Sequence, residues 1–225
     1  MALLLFVHIV GGALALLAGA LALAVRKGAR LHHVAGWCFV TGMLLMALPG
    51  GVLAHLEAKP FDVLSSGMVT YMVLTGWYSI RQPPLVGLVA FVLIGLGCAG
   101  GYLFIELSAL GGAQRATDAP VGAGFVFATI LLLAVSGDLR ILIKRIPEPL
   151  SRPACLMRHL WRMNFALFGA TASFFGARPH LFAEWMQSSG LLLLLSVLPL
   201  FVIFFWRWRL WRAHRVSREK GVQLV

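Results

Sequence analysis

Charge is what this chain has least of. Asp, Glu, Lys and Arg together make up 12% of its 225 residues, about half the share usual in a soluble domain, and that scarcity argues against the water-soluble fold classes. Cysteine is also sparse. Cys38, Cys98 and Cys155 are not placed to staple a secreted scaffold and read as packing residues or free thiols. The chain contains no Cys-x-x-Cys pair, no P-loop, no HExxH and no GxGxxG in a strand–helix context, and no Ser–His–Asp grouping supports hydrolysis.

What is present is apolar surface: 60% of the residues, gathered into seven stretches. A bilayer core takes about 20 apolar residues in helix. Spans are predicted near 2–25, 34–56, 61–80, 85–107, 121–143, 160–177 and 189–208. Lipid offers the backbone no partners, so the spans must be helices; a transmembrane barrel would read as alternating segments of about 10 residues. The expectation is an all-α polytopic membrane bundle of seven transmembrane helices. It forms a single domain over 1–208, with a basic cytoplasmic tail over 209–225. The first span lacks a basic leader and reads as a retained anchor.

Of the 19 basic residues, only Lys59, Arg115 and Arg178 fall between the alternate set of spans; the other sixteen share one side. The positive-inside rule then puts the N-terminus outside and the C-terminus in the cytoplasm. Trp37, Trp77, Trp161, Trp206, Trp208 and Trp211 gather near that same boundary, as an interfacial belt does. The net charge of +11 is explained by this segregation and by anionic lipid, so nucleic acid is not the expected partner. The expected setting is the bacterial inner membrane.

Arg81-Gln82-Pro83-Pro84 predicts a tight turn between spans 3 and 4. Ser108–Pro120 reads as an exposed loop, and Lys144–Pro153, with three prolines, as extended chain. Pro49-Gly50-Gly51 is expected to kink or break span 2, either for packing or to line a pathway. Spans 1–2 and 5–6 echo each other weakly, as hairpins whose second helices open on His33…Trp37 and His159…Trp161.

Histidines carry the functional argument. His8 lies inside the outer end of span 1, and His8, Gly12, Ala15, Gly19 and Ala22 recur at helical spacing. The seam turns His8 toward protein rather than lipid. His159 heads a similar seam through Met163, Ala166, Ala170, Ser173 and Ala177. His33 and His55, 22 residues apart, share a helix face at opposite boundaries. Each has a plain alternative as a packing, capping or interfacial residue. Asp138, near the cytoplasmic end of span 5, needs a partner in that setting; the candidates are Arg158, Arg162, His159 and Arg26. It is expected either to clamp spans 5 and 6 or to orient a ligating His159.

Two polar layers result: His8, His55 and His180 toward the outside; His33, His159, Asp138 and Arg162 toward the cytoplasm. Imidazoles from separate helices suit b-type haem, which needs axial ligands and no covalent motif. The cofactor-binding candidates are thus His8, His33, His55 and His159, supported by Asp138, Arg162 and Met163. His8 and His159 are the candidates if a metal replaces haem. The leading expectation is electron transfer, with a quinone or redox protein as partner. The alternatives are an accessory or assembly subunit of a larger membrane complex, and a small-solute or proton-coupled transporter.

Several strings together are familiar. They are His8-Ile9 with Gly12, Ala15, Leu17 and Gly19; Arg26-Lys27-Gly28 and His32-His33 before Gly36, Phe39 and Met43; Thr75-Gly76-Trp77; Gly137-Asp138-Leu139-Arg140; Arg158–Met163; and Ser173-Phe174-Phe175. In that order, over roughly 5–176, the chain resembles a bacterial family of multi-helix membrane proteins known only as a domain of unknown function. The family pattern favours histidine-arginine where this chain has His33-Val34, so a basic partner is missing there. The resemblance implies a membrane location and a set of positions, His8, His33, Asp138, His159, Arg162 and Met163, but no reaction.

Overall fold

The computed structural model describes residues 1–81, 85–112, 119–144, 152–176 and 179–219. Among them the regular structure is helical: α1 (Ala2–Ala24), α2 (Arg30–Leu56), α3 (Pro60–Tyr78), α4 (Leu85–Leu110), α5 (Ala123–Lys144), α6 (Arg152–Thr171), the short α7 (Glu184–Ser188) and α8 (Leu191–Glu219). Four segments, Ala2–Ala24, Arg30–Leu56, Gly87–Leu110 and Ala123–Ile143, are long and apolar enough to cross a membrane. The apolar part of α8, Leu191–Trp206, is shorter.

Helices α3 and α6 are long but too polar for that class, and the packing shows why. α3 runs through the middle of the bundle against α2, α4 and α6, with Tyr71, Met72 and Val73 sealed from the surface. Its hydroxyls are satisfied within the helix: Ser65 donates to Phe61 O at 2.9 Å, Thr70 to Ser66 O at 2.8 Å and Thr75 to Tyr71 O at 2.5 Å. Such back-bonding lets polar side chains sit in a dry bundle. α6 turns Arg162 and Asn164 inward, both buried.

α1 and α2 form a hairpin whose backbones touch. A Cβ on Gly42 would lie 2.7 Å from Ala15 N, and one on Gly11 would lie 2.7 Å from Leu45 C. The opposing atoms are main chain and cannot yield. The buried seam of α1 therefore runs through Gly11, Ala15, Ala18 and Gly19 rather than through Gly12. The hairpin turns at Gly28, whose φ of +80° suits glycine. There Lys27 Nζ donates to the carbonyls of Ala22 and Leu23 at 2.7 and 2.8 Å, a cation on the free carbonyls of a helix end.

Three expectations need correcting. α2 is continuous through Pro49. Gly50 and Gly51 serve instead as clearance: a Cβ at either would press on His8 Nδ1 (2.8 Å) or Ser66 Cβ (3.0 Å). α6 begins at Arg152 rather than near 160, so Pro153 is not in extended chain but in a first helical turn, where its missing N–H costs nothing. Ser108–Leu110 still belongs to α4. Pro147, Pro149 and the Gln82–Pro84 turn lie outside the described residues. α8 also carries helix on through 209–219, into the predicted tail.

Candidate functional site

One end of the bundle gathers the α1–α2 turn, the ends of α3 and α5, the start of α6 and the middle of α8. This basic end holds most of the polar side chains. Its centre is Asp138 on α5, which is fully buried. Arg162, one α-helix away on α6, meets it with two nitrogens: Nη2 donates to Oδ1 at 2.6 Å and Nη1 to Oδ2 at 3.1 Å. Arg158 Nη2 donates to the same Oδ1, and Tyr71 on α3 gives its phenolic proton to Oδ2 at 2.6 Å. Arg162 Nη2 also reaches Ala134 O at 2.9 Å. Its guanidinium lies 5.5 Å from the Tyr71 and Trp161 ring centres.

The helical register explains the grouping. Arg158 and Arg162 are four residues apart and share a face of α6, and starting that helix at Arg152 puts both on it. Ala134 and Asp138 share a face of α5 in the same way. Among the described residues one carboxylate faces two guanidiniums, which leaves one positive charge in excess. Arg158 Nε, Arg162 Nε and Asn164 Oδ1 are buried and have no hydrogen-bond partner among the described residues.

His159 Nδ1 donates to Gly76 O on α3 at 3.0 Å. The oxygens of Asp138 are taken by two guanidiniums and a phenol, so the expectation that Asp138 orients His159 is corrected: the backbone carbonyl of Gly76 does so. Met163 packs beside Gly76, where a Cβ would stand 3.5 Å from its side chain and 3.1 Å from Arg162 Cβ. His32, on α2, donates from Nδ1 to Ala22 O on α1 at 3.1 Å.

The other predicted histidines sit differently. His33 is exposed, with its Nδ1 on Ala29 O of the preceding turn at 2.9 Å. His55 and His180 are exposed as well. His8, half-buried at the far end, donates from Nδ1 to Met46 O on α2 at 2.7 Å. That carbonyl lies in the turn before Pro49, whose missing N–H would have served Leu45 O. The structure thus brings Asp138, Arg158, Arg162 and His159 to one end, turns His33 and His55 outward, and leaves His8 at the other end. Among the described residues, no three His, Cys, Asp or Glu side chains are grouped to hold a metal ion.

Sequence reasoning missed Tyr71, His32, Gly76 and Glu106. A signal existed for His32: the buried stripe Ala35, Phe39, Gly42 and Met43, continued back by one helical step, reaches residue 32 and not 33. Tyr71 likewise falls in register with Met68, Met72, Thr75 and Ser79, all buried. Glu106, also buried, lies at the far end and accepts from Gly124 N at 2.9 Å and Gly122 N at 3.3 Å. It places a carboxylate on the N-terminus of α5, where anions are favoured.

Comparison with known proteins returns nothing to set beside this site: no family model, no curated protein and no solved structure matches the chain.

Proposed function

We propose that the chain is a seven-pass protein of the bacterial inner membrane, N-terminus outside, that binds one haem b at its basic end and passes electrons. The observation that carries this reading is the anchoring of two imidazoles from separate helices. His32 and His159 each spend the Nδ1 proton on a backbone carbonyl, which leaves Nε2 as the free lone pair. Ligating histidines are held in this way by a group behind the ring. His32 and His159 would be the two residues to hold a haem, which would need no further protein ligand, whereas a bare zinc ion would need more. The absence of a third metal-binding side chain among the described residues therefore favours haem over a bare metal.

The haem, when bound, supplies one-electron chemistry. The chain's own residues would fix the tautomers of His32 and His159 through the backbone carbonyls of Ala22 and Gly76. With His33 and His55 turned outward, the inner pair becomes His32 with His159 in place of His33 with His159, and the outer layer keeps His8 alone. The proposed partners are a membrane quinone or a redox protein at the basic surface. The likeness to the uncharacterised family rests on the same residues and is part of this proposal. Four of the seven crossings rest on length and apolar character alone; in this reading α3 and α6 cross as inner helices shielded by their neighbours, and α8 crosses with its basic end at the surface.

An absorption spectrum of the purified full chain tests the reading. A Soret band is expected, lost in His159→Ala and His32→Ala and retained in His33→Ala and His55→Ala. A colourless preparation from haem-replete cells overturns it and leaves the accessory-subunit role.

A further inference from the structure

We infer that the Arg158–Arg162 cluster is an oxyanion site that takes a single phosphate group at the membrane surface. Charge is the first observation. Among the described residues Asp138 is the one carboxylate bonded to this cluster, and its proton donors are two guanidiniums and a neutral phenol. One positive charge is left over in a region where an unpaired charge is costly. The second observation is the pair of orphaned donors. Both Nε groups are buried without a partner among the described residues, and Arg162 is itself 1% exposed. The two guanidiniums share Asp138 Oδ1, so these unused donors belong to one cluster.

The third observation is access. Arg162 is closed off, with its side chain 2% exposed, whereas Arg158 keeps 15% of its side chain open. Arg158 stands in the second turn of α6, close to the chain's entry into the bundle. A tetrahedral oxyanion docking at the open edge of Arg158 gains a charge-assisted hydrogen bond and neutralises the excess. Arginine suits this task because its planar fork offers several donors to a phosphate at once. Two sources present this chemistry at such a place: the phosphodiester of an anionic phospholipid headgroup, and a soluble phosphate. The inference is independent of the haem reading, since neither His32 nor His159 takes part.

The full chain, purified in non-ionic detergent, is tested by thermal unfolding with added phosphatidylglycerol, phosphatidylcholine or inorganic phosphate, and by native mass spectrometry for retained lipid. Phosphatidylglycerol is expected to raise the midpoint and phosphatidylcholine to leave it unchanged. Arg158→Gln is expected to weaken phosphatidylglycerol binding about tenfold, the value of one charge-assisted hydrogen bond. Asp138 keeps Arg162 and Tyr71 in that variant. Arg140→Gln removes an exposed positive charge from α5 and is expected to bind as the parent does. Stabilisation by inorganic phosphate alone, equally lost in Arg158→Gln, supports the site with a soluble ligand as its source. If Arg158→Gln is not recovered folded, Arg158→Lys carries the same test, because it keeps the charge and lacks the fork. The inference is overturned if no anion shifts the parent, or if the Arg140 and Arg158 variants lose binding equally.

Discussion

Arg162 holds Asp138 through both terminal nitrogens, at 2.6 and 3.1 Å, with the two side chains 2% and 0% exposed. A paired fork of this kind fixes the relation of α6 to α5 in angle as well as distance. Removing one member of a buried ion pair strands the other and costs about 3–5 kcal/mol. Here the two losses are unequal. Asp138→Leu strands two guanidiniums, while Arg162→Leu leaves Asp138 still neutralised by Arg158 and Tyr71. The first variant is expected to show the full cost and the second clearly less, measured by thermal or denaturant unfolding in detergent. Equal losses would contradict the charge count.

Tyr71→Phe keeps the ring in the core and deletes only the proton given to Asp138 Oδ2. A hydrogen bond to a charged group contributes about 1.5–3 kcal/mol. Arg162 Nη1 still serves the same oxygen, so a loss near the lower bound is expected. Unfolding midpoints of the two proteins check it.

Glycine variants separate backbone contact from mere composition. Gly42→Ala drives a methyl to within 2.7 Å of Ala15 N, while Gly36→Ala, on the same helix, meets nothing within 4 Å. The first is expected to part α1 from α2 and destabilise by about 1–3 kcal/mol. The second is expected to leave stability unchanged or slightly raised, because alanine favours helix. Disulfide trapping between cysteines placed on α1 and α2 reads the separation directly.

Glu106→Ala removes the carboxylate that receives Gly122 N and Gly124 N, and with it the anion on the start of α5. Faster amide hydrogen exchange over Gly122–Phe125 is expected, with Glu106→Gln intermediate because its amide oxygen still accepts. A loss of about 1–2 kcal/mol matches a buried helix-terminus charge.

The helical character of the chain was legible in its composition, because lipid leaves the backbone few choices. Predicted and observed helix limits agree to within two residues at α1 and α3, Ala2–Ala24 and Pro60–Tyr78. They failed at Arg152, where Pro153 reads as a breaker from sequence but sits in the first turn, the one place a helix tolerates it. The Asp138 partnership with Arg158 and Arg162 was legible because a buried carboxylate must find cations, and these were among the few on offer. Tyr71 was not, since a phenol inside an apolar run looks like ordinary packing until a neighbouring helix presents an acceptor. The choice between His32 and His33 turned on one helical step of 100°. Only the buried stripe continuing from Ala35 resolves it, and which residues form that stripe depends on neighbours the sequence does not name.

Arg81, three residues past the end of α3, lies 4.9 Å from the Trp37 ring centre and 4.6 Å from the Trp77 ring centre, and the two indoles meet edge to face at 5.1 Å. Trp37 belongs to α2 and Trp77 to α3, so any sliding of one helix past the other separates the rings and releases the cation. Indole emission is sensitive to a nearby charge and to ring contact. The protein therefore carries a native optical gauge of α2–α3 movement, readable without attaching a dye and silenced by changing a single arginine.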